Sequence, residues 1–184
     1  MSTDSKSTRR LPLRFSLDDA QSASDSWGFN CGPGALCAVL GMTPEEIRPH
    51  LGDFESKGYT NPTLMAGILH RLQVPFVRAF KFTGASKPLH VAVKWPAFGL
   101  VRIQWDGPWT ASGVPIRARY RHTHWIGYEE NDGLGMVFDV NAMRERGWLA
   151  FSEWSLQLVP WLLNQVEPKA TGDWWPTHCW EIPA

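Results

Sequence analysis

A cysteine at position 31 lies in a glycine- and proline-rich segment at the predicted start of a helix. Residues 30–34 read Asn-Cys-Gly-Pro-Gly, and the apolar positions that follow predict a helix that ends at Gly41. Asn30 can cap this helix, and Pro33 suits its first turn, where an N–H group has no intrahelical acceptor. The free N–H groups and the positive end of the helix dipole stabilise a thiolate and lower the pKa of a cysteine. The pattern therefore predicts a nucleophile at Cys31.

The two glycines of this segment favour acyl-transfer chemistry. Because Gly32 and Gly34 carry no side chain, we expect a carbonyl substrate to approach the thiolate and its oxyanion to meet backbone N–H groups. A buried structural cysteine is the alternative interpretation of Cys31. Of the other two cysteines, Cys37 is predicted to be a core residue. Cys179 is a poor candidate for a zinc ligand, since no second ligand pair stands at zinc spacing.

A histidine on a predicted strand can act as the base that this nucleophile needs. Of the six histidines, His122 and His124 lie in a segment of β character, and one base suffices, so His122 is interpreted as an ordinary strand residue. Residues 131–133, Asn-Asp-Gly, predict a hairpin turn after the His124 strand. Across this hairpin, Asp139 or Asn141 can accept the second ring N–H of His124. Asp139 is the predicted third member of a triad, and Asn141 is the alternative.

The composition of the whole chain argues against several classes of function. The 184 residues include 18 Lys and Arg and 18 Asp and Glu, so the net charge offers no attraction to nucleic acid or to a membrane surface. The first ten residues lack the apolar core of a signal peptide, and no apolar run is long enough to span a bilayer. Three cysteines are too few for a disulfide framework and suit a reducing compartment. We expect a cytoplasmic protein without metal or cofactor; its oligomeric state stays open.

The predicted elements describe an α+β protein in which helices precede strands. The predicted helices span residues 30–41, 43–51 and 61–72, with a further short helix after residue 152. The predicted strands span residues 74–82, 99–105, 116–128 and 135–140. A run of helices followed by a run of strands is typical of α+β domains rather than of doubly wound α/β domains.

The length of the chain fits a single domain. Residues 1–14 are polar and basic and are predicted to form a flexible tail, and residues 15–184 are predicted to form the domain. Residues from about 165 to 184 are predicted to be a Trp-rich extension of it. The 11 tryptophans are interpreted as core and platform residues, with a recognition groove as the alternative.

The candidate residues resemble the papain-like clan of cysteine peptidases, and within it the bacterial peptidases that process double-glycine leader peptides. The likeness rests on Asn30-Cys31-Gly32-Pro33, on residues 58–62 before a helix, on His124-Trp125-Ile126 and on Asp139. The resemblance implies a papain-like fold in which the nucleophile begins the first long helix and the helices pack on a C-terminal antiparallel sheet. It also implies a Cys-His-Asp hydrolase that cleaves peptide or isopeptide bonds in a peptide or protein substrate.

The resemblance leaves the oxyanion donor open. Members of that family carry a glutamine several residues before the nucleophile, and here Asp25 stands at that position. Gln21 is one candidate replacement. The backbone N–H of Cys31, together with the side chain of Asn30 or Trp27, is the other.

Two further functions are compatible with the same residues. A papain-like fold without turnover could serve as a protein-binding or inhibitor module with an aromatic docking surface. The same triad could also transfer an acyl group to an amine, as acyltransferases and transglutaminases do.

Overall fold

Helices make up the first part of the chain and strands most of the rest, so the fold is α+β. The computed structural model describes residues 9–82, 93–119, 122–143, 147–166 and 169–183. The helices are α1 Leu17–Trp27, α2 Cys31–Leu40, α3 Pro44–Ile47, α4 Phe54–Lys57, α5 Pro62–Arg71, α6 Ile116–Arg119, α7 Phe151–Glu153 and α8 Val159–Val166. Short 3-10 turns lie at Arg48–His50, Pro108–Thr110 and Val140–Ala142, and a π-helical turn, Trp154–Leu158, joins α7 to α8. The strands are β1 Val77–Lys81, β2 Phe98–Trp105, β3 Thr123–Asn131, β4 Leu134–Phe138, β5 Trp148–Ala150 and β6 Trp174–Glu181.

In the described part of the chain, these six strands form one antiparallel sheet in the order β1-β6-β2-β3-β4-β5. The strand β6 comes from the Trp-rich segment predicted to be an extension. It lies inside the sheet, where it pairs with β1 on one side and with β2 on the other. The sequence pattern did not predict β5 or β6, because neither strand shows clear alternation of apolar and polar residues.

Both faces of the sheet are covered, and β2 is consequently buried along its whole length. Leu100 packs with residues of α2 and α5 in one core cluster. Its neighbours Val101 and Ile103 face the other way and pack in a second cluster with Trp154 from the π-helical turn. The N-terminal helices therefore cover one face, and the segment 151–166 covers the other.

The predicted helix starts are confirmed at α2, α3 and α5. The α2 helix runs from Cys31 to its left-handed cap at Gly41, and a capping box of Thr43 with Glu46 begins α3. The helix predicted over residues 43–51 divides into α3 and a 3-10 turn, because Pro49 has no N–H for the next α-helical hydrogen bond.

The α1 helix is absent from the sequence prediction. A capping box of Ser16 with Asp19 begins it, and Gly28 ends it in the left-handed conformation. Only Ala20 and Ala23 are buried among its residues, so it lacks the apolar periodicity by which amphipathic helices are recognised.

Two predicted β segments differ in the structure. Residues 116–119 form α6 instead of the start of a strand, and β3 begins only at Thr123. The residues Asp106-Gly107-Pro108 are also typical of a hairpin connection, but here the structure has a 3-10 turn within a long connection between β2 and β3. The hairpin between β3 and β4 is confirmed, and its turn residues Asp132 and Gly133 both have positive φ, as a type I′ turn requires.

The helix predicted after residue 152 extends past Leu158 and past Pro160 to Val166. A π-helical turn precedes Pro160, where the proline cannot donate an α-helical hydrogen bond.

The second half of the predicted N-terminal tail contacts the sheet. Arg10 forms an ion pair with the buried Glu129 of β3, with 2.5 Å between Nε and Oε2. Residues 1–8 lie outside the described residues. None of the described helices is long and apolar enough to cross a membrane.

Candidate active site

Cys31 is the first residue of α2 and lines a cavity of about 640 Å³. The preceding Asn30 fixes the start of the helix, since its Oδ1 accepts the N–H of Gly32 at 3.3 Å. The side-chain amide of Asn30 donates to the carbonyl of Gly58 at 3.1 Å, which ties the helix start to the loop before α5. Cys31 is a partly exposed residue beside this cavity.

Close packing explains the two glycines at the start of α2. A Cβ atom at Gly32 would lie 2.2 Å from Oγ1 of Thr60, and one at Gly34 would lie 3.1 Å from Cβ of Val140. Thr60 belongs to the loop before α5, and Val140 directly follows Asp139. The glycines therefore let these two segments pack against the helix start, which differs from the predicted role of clearing space for a substrate.

His124 and Asp139 form a buried hydrogen-bonded pair at one end of the β3–β4 hairpin. The ladder between these strands ends with Gly127 opposite Phe138, so Asp139 leaves it beside the start of β3. Nε2 of His124 lies 2.7 Å from Oδ1 of Asp139, and both side chains are almost fully buried. The structure thus places Asp139, rather than the side chain of Asn141, against the imidazole.

Two further donors hold the Asp139 carboxylate. The indole N–H of Trp154 donates to Oδ2 at 2.8 Å, and the backbone N–H of Asn141 donates to Oδ1 at 2.9 Å. Burial alone would raise the pKa of Asp139, but the charge and hydrogen bond of His124, together with these two donors, lower it below its usual value. Asp139 is therefore ionised beside the imidazole.

The imidazole of His124 lies between two anionic partners. Because Nε2 contacts Asp139, the ring nitrogen left for Cys31 is Nδ1. Burial would lower the pKa of His124, but the charges of Asp139 and Cys31 and hydrogen bonds to both raise it well above its usual value. The geometry favours an imidazolium in the resting protein.

The thiol of Cys31 is acidified by the same contacts. Burial raises its pKa, and the charge of Asp139 adds to that effect. The charge and hydrogen bond of His124 and the backbone N–H of Trp125 act in the opposite direction and lower the pKa overall. These opposite shifts favour a thiolate paired with an imidazolium.

The other two cysteines behave in the opposite way. Burial raises the pKa of Cys179 to about 12. Burial, with smaller contributions from Glu45 and Glu46, also raises the pKa of the Cys37 thiol. Of the three cysteines, Cys31 is the one whose surroundings favour the thiolate.

The residues considered for the oxyanion lie in different places. Gln21 is exposed on α1, where its amide donates to Asp25 at 2.8 Å, and it is not among the residues that line the cavity. Asn30 and Asn141 do line the cavity, although the Asn30 side chain already caps α2. Thr60 lines it as well, and its buried hydroxyl has no hydrogen-bond partner among the described residues.

Sequence reasoning missed three residues of the site: Thr60, Arg102 and Trp154. Arg102 had a recognisable signal, because it is the one charged residue of the apolar strand β2. Thr60 lies within residues 58–62, on which the resemblance rests in part, but nothing in the local pattern marks Thr60 or Trp154 as a site residue. His122, predicted to be outside the triad, packs against Trp109 with 3.8 Å between ring centroids and a tilt of 35° between the rings.

A larger cavity, of about 1280 Å³, lies elsewhere and is lined by neither histidine nor cysteine. Within the described ranges, no three His, Cys, Asp or Glu side chains are grouped as metal ligands would be.

Comparisons with known protein families, with curated proteins and with solved structures found no match. The chemistry of this chain therefore has to be argued from the geometry around Cys31, His124 and Asp139.

Proposed function

We propose that the protein is a papain-like cysteine hydrolase that cleaves an amide bond of a peptide or protein through Cys31, His124 and Asp139. The observation that carries the proposal is the chain of contacts from Asp139 through His124 to Cys31 at a helix start beside an open cavity. A buried carboxylate that orients an imidazole next to an acidified nucleophile is the arrangement that acyl transfer requires.

In the first half of the reaction, the Cys31 thiolate attacks the carbonyl carbon of the substrate. The C–S bond forms, and the π electrons of the carbonyl move to its oxygen. The imidazolium of His124 then donates its Nδ1 proton to the amide nitrogen as the C–N bond breaks. The products of this step are a thioester and a free amine.

In the second half, water hydrolyses the thioester. Neutral His124 takes a proton from the water, whose oxygen attacks the thioester carbonyl, and the Cys31 thiolate leaves. Asp139 keeps the imidazole oriented through both halves and stabilises its charged form.

The oxyanion needs hydrogen-bond donors beside the nucleophile. The backbone N–H of Cys31 belongs to the first turn of α2, where no intrahelical acceptor exists. The hydroxyl of Thr60 packs against the next residue of that turn and is the side-chain donor that we assign to this role.

The test is the rate at which iodoacetamide alkylates each of the three cysteines across pH, read by mass spectrometry. Cys31 should react at pH values well below the usual thiol pKa, whereas Cys37 and Cys179 serve as internal controls of raised pKa. The His124→Ala variant should lose the fast labelling of Cys31. In a peptidase assay, Cys31→Ala should abolish turnover and Cys37→Ala should retain it.

Slow labelling of Cys31 that is indifferent to His124 would contradict the proposal and favour a binding module on the same fold. If labelling is fast, the product mass in the presence of an added amine distinguishes hydrolysis from acyl transfer.

A further inference from the structure

Two side chains hold the loop before α5 against the candidate active site. The side-chain amide of Asn30 donates to the carbonyl of Gly58 at 3.1 Å, and the indole N–H of Trp125 donates to the carbonyl of Thr60 at 2.7 Å. The two carbonyls stand two residues apart in the chain, and the residues from one to the other line the cavity of the site. The loop is therefore fixed at both ends of the part that faces this cavity.

Trp125 connects this loop to the nucleophile and to the base. It follows His124 on β3, and its backbone N–H bonds the sulfur of Cys31. Its ring is 2% exposed and reaches a loop that lies 65 residues earlier in the chain. A buried indole whose N–H is bonded keeps one orientation. One residue thus sets the loop, the imidazole and the thiolate relative to one another.

The hydroxyl of Thr60 depends on these anchors for its position. Thr60 is 7% exposed, and its Oγ1 lies where a Cβ at Gly32 would come within 2.2 Å of it. This hydroxyl has no hydrogen-bond partner among the described residues, so its own side chain does not tie it to the helix start. The carbonyl of the same residue is the group that Trp125 holds.

We infer that Trp125 and Asn30 are positioning residues, which hold the loop before α5 so that the Thr60 hydroxyl meets the oxyanion of the reaction. The inference rests on the proposed function and adds two residues that act through Thr60 rather than on the substrate. An oxyanion donor has to lie within hydrogen-bond distance of the charged oxygen, and a displacement of about 1 Å can lower a rate roughly 100-fold.

The test compares two reactions of Cys31 in the full-length protein. With p-nitrophenyl acetate, the thiolate attacks the acetyl carbon, negative charge develops on the carbonyl oxygen, and p-nitrophenolate leaves as the C–O bond breaks. With iodoacetamide, the same sulfur bonds the CH₂ carbon and iodide leaves, so no oxyanion forms. The ratio of the acetylation rate to the alkylation rate therefore reports on the oxyanion donors separately from the formation of the thiolate. Cys31→Ala supplies the background rate.

Trp125→Phe and Asn30→Ser should each lower this ratio by roughly 10-fold or more. Serine still caps α2, but its shorter side chain does not reach Gly58, so the second variant removes one anchor without changing the core. Asn30→Ser decides the question if Trp125→Phe does not fold. Trp180→Phe is the matched control. It loses the same atoms beside Trp125, but its indole N–H has no partner among the described residues, so the ratio should not change.

In the Thr60→Val background, neither substitution should lower the ratio further, because the donor that the anchors position is gone. A loss by the same factor in both backgrounds would show a general structural effect and overturn the inference. An unchanged ratio in either folded variant, or an equal loss in Trp180→Phe, would overturn it as well.

Alkylation of Cys31 reports separately on the proposed function. Fast alkylation with an unchanged ratio rejects the positioning role alone. Slow alkylation that is indifferent to His124 rejects the hydrolase, whatever the ratio.

Discussion

The hydrogen bond from Trp154 to Asp139 gives the most direct test of how the site is held. Trp154 is fully buried, and its indole N–H is 2.8 Å from an ionised carboxylate that is itself 1% exposed. A hydrogen bond to a charged group contributes about 1.5–3 kcal/mol. The Trp154→Phe variant removes that bond together with part of the ring, so the packing loss must be measured separately.

Trp180→Phe supplies that measurement. Trp180 is 1% exposed and packs among aromatic rings, as Trp154 does, but its indole N–H has no hydrogen-bond partner among the described residues. The two variants lose the same atoms. We expect the free energy of unfolding, from urea titrations followed by circular dichroism, to fall by about 1.5–3 kcal/mol more for Trp154→Phe than for Trp180→Phe.

The pH dependence of the free energy of unfolding gives a second test, and the direction of its change can be predicted. The folded protein lowers the pKa of Asp139, so this carboxylate stabilises the fold above its unfolded pKa of about 3.9, and the contribution is lost as pH falls through the folded value. In Trp154→Phe, which lacks the indole donor, the pKa of Asp139 in the folded protein is higher. The carboxylate therefore contributes less to the free energy of unfolding at neutral pH. The difference between Trp154→Phe and wild type should therefore be largest near neutral pH and should shrink as the pH falls below about 4, toward the folded pKa of the wild-type carboxyl.

Equal losses for the two tryptophan variants, with no change across pH, would refute this reasoning. The result would mean that the indole acts only by filling space. The rate of Cys31 alkylation should follow the same order, with Trp154→Phe slower than Trp180→Phe, since a loosened carboxylate orients His124 less well.

Three further predictions follow from packing and charge. Gly32→Ala should lower the free energy of unfolding by roughly 1–3 kcal/mol in urea titrations, because the new Cβ meets Thr60; unchanged stability would show that the loop before α5 moves freely. Thr60→Val should lower kcat by roughly 100-fold or more, because it removes the proposed oxyanion donor, whereas Thr60→Ser should stay near wild type. Equal kcat values for all three proteins would show that the hydroxyl does not stabilise the oxyanion. Glu129→Gln should lower the free energy of unfolding by about 1–3 kcal/mol, because the buried Glu129 forms an ion pair with Arg10 and accepts the backbone N–H of Arg9. As a control, Arg48→Gln breaks the exposed Arg48–Glu55 ion pair and should change the urea midpoint little.

The fold could be predicted from sequence where local signals and burial agree. Caps at Asn30 and Thr43 marked two helix starts, and the Asp132-Gly133 turn marked the β3–β4 hairpin. The α1 helix could not be predicted in this way, because only two alanines of it are fully buried and its polar residues show no apolar periodicity. The strand β6 was not predicted for a different reason. It is buried on both faces, so its sequence lacks the alternation typical of half-buried strands.

Some residues of the candidate site could likewise be predicted from local sequence, and others could not. Cys31 and His124 stand in local contexts that carry their chemistry, namely a helix start and the edge of a hairpin. Asp139 followed from the expected pairing across that hairpin. Trp154 and Thr60 reach the site through tertiary packing, which no local pattern encodes, so only the structure brings them to the triad.

The position of β6 also governs when the nucleophile can become active during synthesis. A growing chain contains Cys31 early. Among the described strands, however, β1 pairs only with β6, and β6 is the last to be synthesised. A chain stopped before residue 174 leaves the edges of β1 and β2 open, and the hairpin that carries His124 lacks its completed support. We therefore expect Cys31 to gain its lowered pKa only after β6 has joined the sheet.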